Sequence, residues 1–134
     1  MELKVQFSDD PAFVLSRAGG FLSSRPVVHN LALSILHARV AQGDPGRYWM
    51  AIQQDDTVGV VVQSPLTFPA TLTPMEPRVA TAMADAIAEM GIALPGINGE
   101  AATAAMFAGQ WSERSKSERE VYSLNRERQL SISR

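Results

Sequence analysis

The chain contains no cysteine, which excludes a disulfide framework, a thiolate zinc site and a cysteine nucleophile. It has no apolar run near the roughly 18 to 20 residues needed to cross a bilayer, and Met1 to Phe7 alternates polar and apolar residues rather than forming a signal-peptide core. A cytoplasmic protein with no membrane partner is the expectation. Charge of one sign is also scarce: the formal net charge is −2, too small to imply nucleic acid as a partner. No glycine-framed serine offers a nucleophile elbow.

What remains is a globular composition, 46% hydrophobic and 19% charged over 134 residues, suited to one domain with a single core spanning 1–134. Leu3, Val5 and Phe7 alternate as in a half-buried strand. Asp9-Asp10-Pro11 supplies a helix cap with proline in the first turn, so these carboxylates read as capping groups rather than as an acid–base pair. Phe13, Val14, Arg17, Ala18, Phe21 and Leu22 give a first amphipathic helix. Gly19-Gly20 costs it about 2 kcal/mol relative to alanine, so a bend or break is expected there.

A second helix is expected from Ser24-Arg25-Pro26 to Gln42. Val28, Leu31, Ile35 and Ala38 form one apolar stripe and Leu33, Leu36 and Val40 another, a width that implies burial over much of the circumference. Tyr48–Gln53 and Val58–Gln63 read as a β-hairpin turning at Asp55-Asp56. Ala70–Thr73 is a short strand, and a third helix begins between Pro74 and Pro77 and ends at Gly91. Its Met83, Ile87 and Met90 read as core. Leu94 to Gly99 leaves room for about three residues of strand. A fourth helix starts near Glu100, with Ala104, Phe107, Ala108 and Trp111 on one face. From 112 to 134 the chain is charge-rich, with six basic residues against four acidic ones, and reads as a charged C-terminal strand segment or linker built on Val121, Tyr122, Leu124, Leu130 and Ile132. The fold class is α/β (α+β), a mixed central sheet flanked by about four helices.

Three short stretches carry a resemblance. Arg25-Pro26-Val27-Val28-His29-Asn30-Leu31 follows Phe21-Leu22, Tyr48-Trp49 precedes the Val58-Gly59-Val60-Val61 strand, and Leu94-Pro95-Gly96-Ile97-Asn98-Gly99 precedes the alanine-rich stretch ending at Trp111. Together with the element order, they resemble the N-terminal part of bacterial two-part proteins of the GNAT N-acetyltransferase superfamily. The resemblance implies a GNAT-like sheet, acyl transfer from acetyl-CoA to an amine in the family, and a catalytic GNAT half or a second copy of the chain as partner. His29, Asn30, Trp49, Asn98 and Gly99 become the substrate-side candidates, while no catalytic or cofactor-binding residue is assigned.

The family's pyrophosphate loop, a glycine-rich turn at a helix start, has no counterpart. Thr71 to Arg78 stands in its place, with no glycine, two prolines lacking N–H donors, and Glu76 where a diphosphate would lie. Acetyl-CoA is therefore not expected to bind this chain alone. The alternative is a non-enzymatic binding or dimerisation module of degenerate GNAT form. His29 and His37 lie eight apart, about 80° around a helix, so no metal site is expected. Gly96 to Gly99 reads as an ordinary turn, and Tyr122, Trp111 and, from its residue type alone, Trp49 read as packing residues.

Overall fold

The computed structural model describes the backbone of residues 2–126 and the side chains of residues 2–114. The elements run β1 (Leu3–Ser8), α1 (Pro11–Ser24), α2 (Asn30–Gln42), β2 (Arg47–Gln53), β3 (Asp56–Gln63), β4 (Ala70–Leu72), α3 (Pro77–Glu89), β5 (Ile97–Asn98) and α4 (Ala101–Arg126). The five strands form one sheet in the order β1-β2-β3-β4-β5. The first four pair antiparallel, and β5 returns through α3 to pair parallel with β4. The α/β class with four helices is as expected. None of the helices among the described residues is long and apolar enough to cross a membrane.

Alternation along the central strands builds two cores. Tyr48, Met50, Ile52, Val60 and Val62 point to one face, where they meet Val14, Ala18 and Leu22 of α1 and Ala32 and Leu36 of α2. Trp49, Ala51, Val61, Ala70 and Leu72 point to the other, against Val79, Met83 and Ile87 of α3 and Phe107 of α4. Helix α4 is held to α3 by Arg114, whose guanidinium lies 3.1 Å from the Asp85 carboxylate, and by Gln110, which donates to Asp85 at 2.7 Å.

Several expectations are corrected. Helix α1 runs unbroken through Gly19-Gly20; three buried side chains in register on the sheet outweigh the glycine penalty. Its start is as read, with Asp10 accepting from Ala12 N–H at 3.0 Å. Helix α2 starts at Asn30 instead of Ser24, because Arg25 to His29 form a turn between the helices. Its buried face is narrow: Leu31 and Val40 are about half exposed, and Val28 is exposed as well. The hairpin turns on Gln54-Asp55, with φ of 53° and 66°, and Asp56 already belongs to β3, paired with Gln53. Positive φ at both central residues is what a two-residue hairpin requires. Val58 is an extra residue in β3, since one step from Ala51 to Ile52 faces two steps from Gly59 to Thr57.

The C-terminal strand expectation fails over the described residues: 112–126, including Val121, Tyr122 and Leu124, continue α4. Glu, Lys, Arg and Gln are good helix formers, and the three-residue spacing of Val121 and Leu124 matches the helical period rather than the alternation of a strand. Leu130 and Ile132 lie outside the described residues. Ala108, expected on the buried face of α4, is exposed.

The far end of α2 is pinned to the sheet by polar groups. Arg39 Nε donates to Ser64 Oγ at 2.5 Å, and Ser64 donates onward to the Pro45 carbonyl at 2.8 Å. The phenol of Tyr48 is fully buried beside Ser64 with no well-formed hydrogen bond among the described residues. Burial pushes its pKa above the ordinary 10.0, with Ser64 and the Arg39 charge pulling the other way. The unfolded chain therefore loses this proton first, so the stability contributed by the neutral phenol is intact below about pH 10 and falls as pH rises beyond it. Urea midpoints measured from about pH 8 to about pH 11 should drop more steeply for the wild type than for Tyr48→Phe. Glycine positions give a second test. A Cβ at Gly46 would overlap the Tyr48 ring, whereas one at Gly20 would meet nothing within 4 Å. Gly46→Ala should lower the unfolding free energy by about 1–3 kcal/mol, and Gly20→Ala should raise it by about 0.5–1 kcal/mol, both read by urea denaturation.

Candidate functional site

A cleft of about 430 Å³ opens at the carboxyl ends of the parallel pair β4 and β5, a volume in the range of small-molecule sites. Its position follows from the connectivity: open α/β sheets leave a crevice at the carboxyl ends of neighbouring parallel strands. The β4 side is walled by Thr71, Leu72, Thr73 and Pro74, and the β5 side by Asn98, Gly99 and Glu100. The third wall comes from the α1–α2 turn and the first turn of α2, with Arg25, Val28, His29, Leu31 and Ala32.

Each wall is fixed by hydrogen bonds. Thr73 extends the β3–β4 ladder past its last strand pair: its N–H donates to the Val60 carbonyl at 3.0 Å, and its Oγ1 accepts from the Val60 N–H at 3.0 Å. Thr103 of α4 accepts from the Met75 N–H at 3.0 Å and donates to the Glu100 carboxylate at 2.8 Å, tying the loop after β4 to the start of α4. Gly99 packs tightly against β4: a Cβ there would come within 3.1 Å of the Leu72 side chain and 3.2 Å of its carbonyl oxygen, so a larger residue needs the end of β4 to shift. His29 is buried, with Nδ1 3.1 Å from the Leu22 carbonyl oxygen and its ring 4.7 Å from that of Phe21.

The cleft gathers three of the five candidate residues, His29, Asn98 and Gly99. Asn30, the first residue of α2, is exposed and does not line it. Trp49 is on the opposite face of the sheet, fully buried among α3 and α4, where its indole N–H meets the Met90 sulfur at 3.2 Å. A residue one position along β2 from Tyr48 faces away from α1 and α2, so Trp49 is a core residue. Thr71 and Thr73 line the cleft without having been singled out; their alternation with Ala70 and Leu72 was the available signal, two hydroxyls on one face of a short buried strand. Glu100, read as a capping residue, immediately precedes α4, where its carboxylate accepts from the Thr103 hydroxyl and its backbone carbonyl from the Ala104 N–H, and it also borders the cleft.

The segment after β4 has the chemistry expected of it. Pro77 opens α3 without an N–H, and the Val79 and Ala80 N–H groups both bond to the Glu76 carbonyl, at 2.9 and 3.0 Å. The Glu76 carboxylate is exposed, 3.5 Å from Arg78. This helix start has few free donors and carries a negative charge, the opposite of a diphosphate cradle. Among the described residues no group of three or more histidine, aspartate or glutamate side chains is placed to hold a metal ion.

Thr73→Val removes the hydroxyl that accepts from the buried Val60 N–H and should cost about 1–3 kcal/mol in stability, measured by denaturant unfolding, whereas Thr73→Ser should retain most of it. No protein-family model matches the chain, and comparison with curated proteins and with solved structures likewise returns no match.

Proposed function

We infer that the chain is a GNAT-like domain that forms the acceptor side of an acyl-transfer site, with the acyl-CoA-holding half supplied elsewhere. The observation that carries this reading is the cleft at the β4–β5 carboxyl ends, where His29, Thr71 and Asn98 converge beside a helix start unsuited to a pyrophosphate. The sequence motifs around Arg25–Leu31 and Leu94–Gly99 support it, since these are the segments that build two of the cleft's three walls. An amine would meet the Glu100 carboxylate and the hydroxyl and amide groups of the strand ends. In this reading the isolated chain has no acetyltransferase activity.

A non-enzymatic binding or dimerisation module is the second reading. It is favoured by one observation: Val27, Val28 and Leu31 stand exposed beside the cleft, Val27 almost completely.

Calorimetric titration of the isolated chain with acetyl-CoA should give no binding tighter than about 1 mM. Propylamine should shift the backbone amide resonances of Thr71 and Asn98 in the same chain. Micromolar acetyl-CoA binding would overturn the reading in favour of a self-sufficient enzyme. An amine titration without shifts, combined with concentration-dependent dimerisation in sedimentation, would favour the module.

A further inference from the structure

We propose that His29 is the residue through which the cleft selects its ligand, as a fixed hydrogen-bond acceptor that admits N–H or O–H donors and disfavours carboxylate-ended molecules. This rests on the reading of the cleft as a ligand site. The case begins in α1. Leu22 lies in the last turn of a helix that ends at Ser24, where carbonyl groups have no partner within the helix. His29 Nδ1 lies 3.1 Å from that carbonyl oxygen. A carbonyl only accepts, so Nδ1 must carry the hydrogen, and the neutral ring is left with its lone pair on Nε2. The stack against Phe21, with ring planes 31° apart, holds the orientation.

His29 is buried to 3% exposure and lines the cleft. With Nδ1 turned to Leu22, Nε2 is the side-chain polar atom left for a ligand. Three of the neighbouring polar groups can accept from a ligand donor. Glu100 brings a carboxylate, an acceptor, while the Thr71 hydroxyl and the Asn98 amide can each donate or accept. Arg25 is the one fixed donor side chain of the lining, and it sits in the exposed turn. A ligand donor at Nε2 finds an acceptor whose orientation is already fixed before binding, so little ordering is lost on association. A carboxylate at the same place would face a lone pair.

The test uses the full chain, isotope-labelled, at about pH 8. Long-range proton–nitrogen NMR of the free protein should show His29 protonated on Nδ1. Butylamine and butyramide should shift His29, Thr71 and Asn98, and butyrate should not. His29→Asn keeps an amide donor for the Leu22 carbonyl but has no atom at the Nε2 position, so it should fold and bind the two donor probes about tenfold more weakly. His29→Gln carries an amide oxygen near that position and should stay within about threefold of the wild type. A proton found on Nε2, butyrate binding as well as butylamine, or undiminished probe binding by His29→Asn would each overturn the proposal. If Thr71 and Asn98 still shift in His29→Asn with unchanged affinity, the cleft stands as a ligand site and only the role of His29 falls. Probe shifts absent from all three residues would remove the cleft itself.

Discussion

Strand β2 is buried on both faces, and the rest of the architecture depends on that. Tyr48, Met50 and Ile52 need cover on one side and Trp49 and Ala51 on the other. A single layer of helices leaves one of these sets in water, and each large side chain so exposed forfeits about 1.5–3 kcal/mol of burial. The chain meets the demand with α1 and α2 on one face and α3 and α4 on the other. Because α3 must cross the far face between β4 and β5, those two strands run parallel. The cleft is a consequence of that crossing: it lies where the parallel pair ends and the α1–α2 turn passes over it.

The polar groups around the cleft hold that geometry rather than merely decorate it. Thr73 makes with its side chain the ladder contact that strand β4 is too short to make with its backbone. Thr103 joins the loop after β4 to the first turn of α4. His29 joins the turn before α2 to the last turn of α1. All three satisfy a backbone group at or facing the end of an element: the Val60 N–H opposite the end of β4, the Met75 N–H before α3 and the Leu22 carbonyl in the last turn of α1. Hydrogen bonding there and the shape of the cleft thus have the same origin.

Much of this was legible in the residues, and the misses have physical causes. The hairpin was plain because Val58 to Val62 is rich in β-branched residues, but its turn was misplaced by one residue: aspartates are common turn residues, whereas the backbone puts the positive φ values at Gln54 and Asp55. Gly19-Gly20 suggested a break because propensity was weighed without the packing of Val14, Ala18 and Leu22. The α2 start was set too early because Pro26 fits the first turn of a helix equally well as a turn between helices. In the site, Asn98 and Gly99 could be found because they mark a turn before a helix. Trp49 lies in the core, as its residue type suggests, and only its place among the cleft candidates fails, because strand alternation separates faces without saying which face borders a cleft. Thr71 and Thr73 were passed over because hydroxyls in a short strand look unremarkable until β5 is placed beside them.

The charges at the two helix starts near the cleft bear on what it can hold. The positive end of a helix dipole ordinarily favours an anion, yet Glu76 precedes α3 and Glu100 precedes α4. At α4 the Glu100 carboxylate is held by the Thr103 hydroxyl, 2.8 Å away, so it stays close to the first turn. At α3 the Glu76 carbonyl takes up two early N–H groups and Pro77 removes another. Both starts are thus supplied with negative charge by the chain itself. A phosphate arriving there would meet a carboxylate where other proteins offer free amides, whereas a cation or a neutral donor meets no such opposition. At the third wall the lone pair proposed for His29 adds to this preference, while the Arg25 guanidinium in the same wall opposes it.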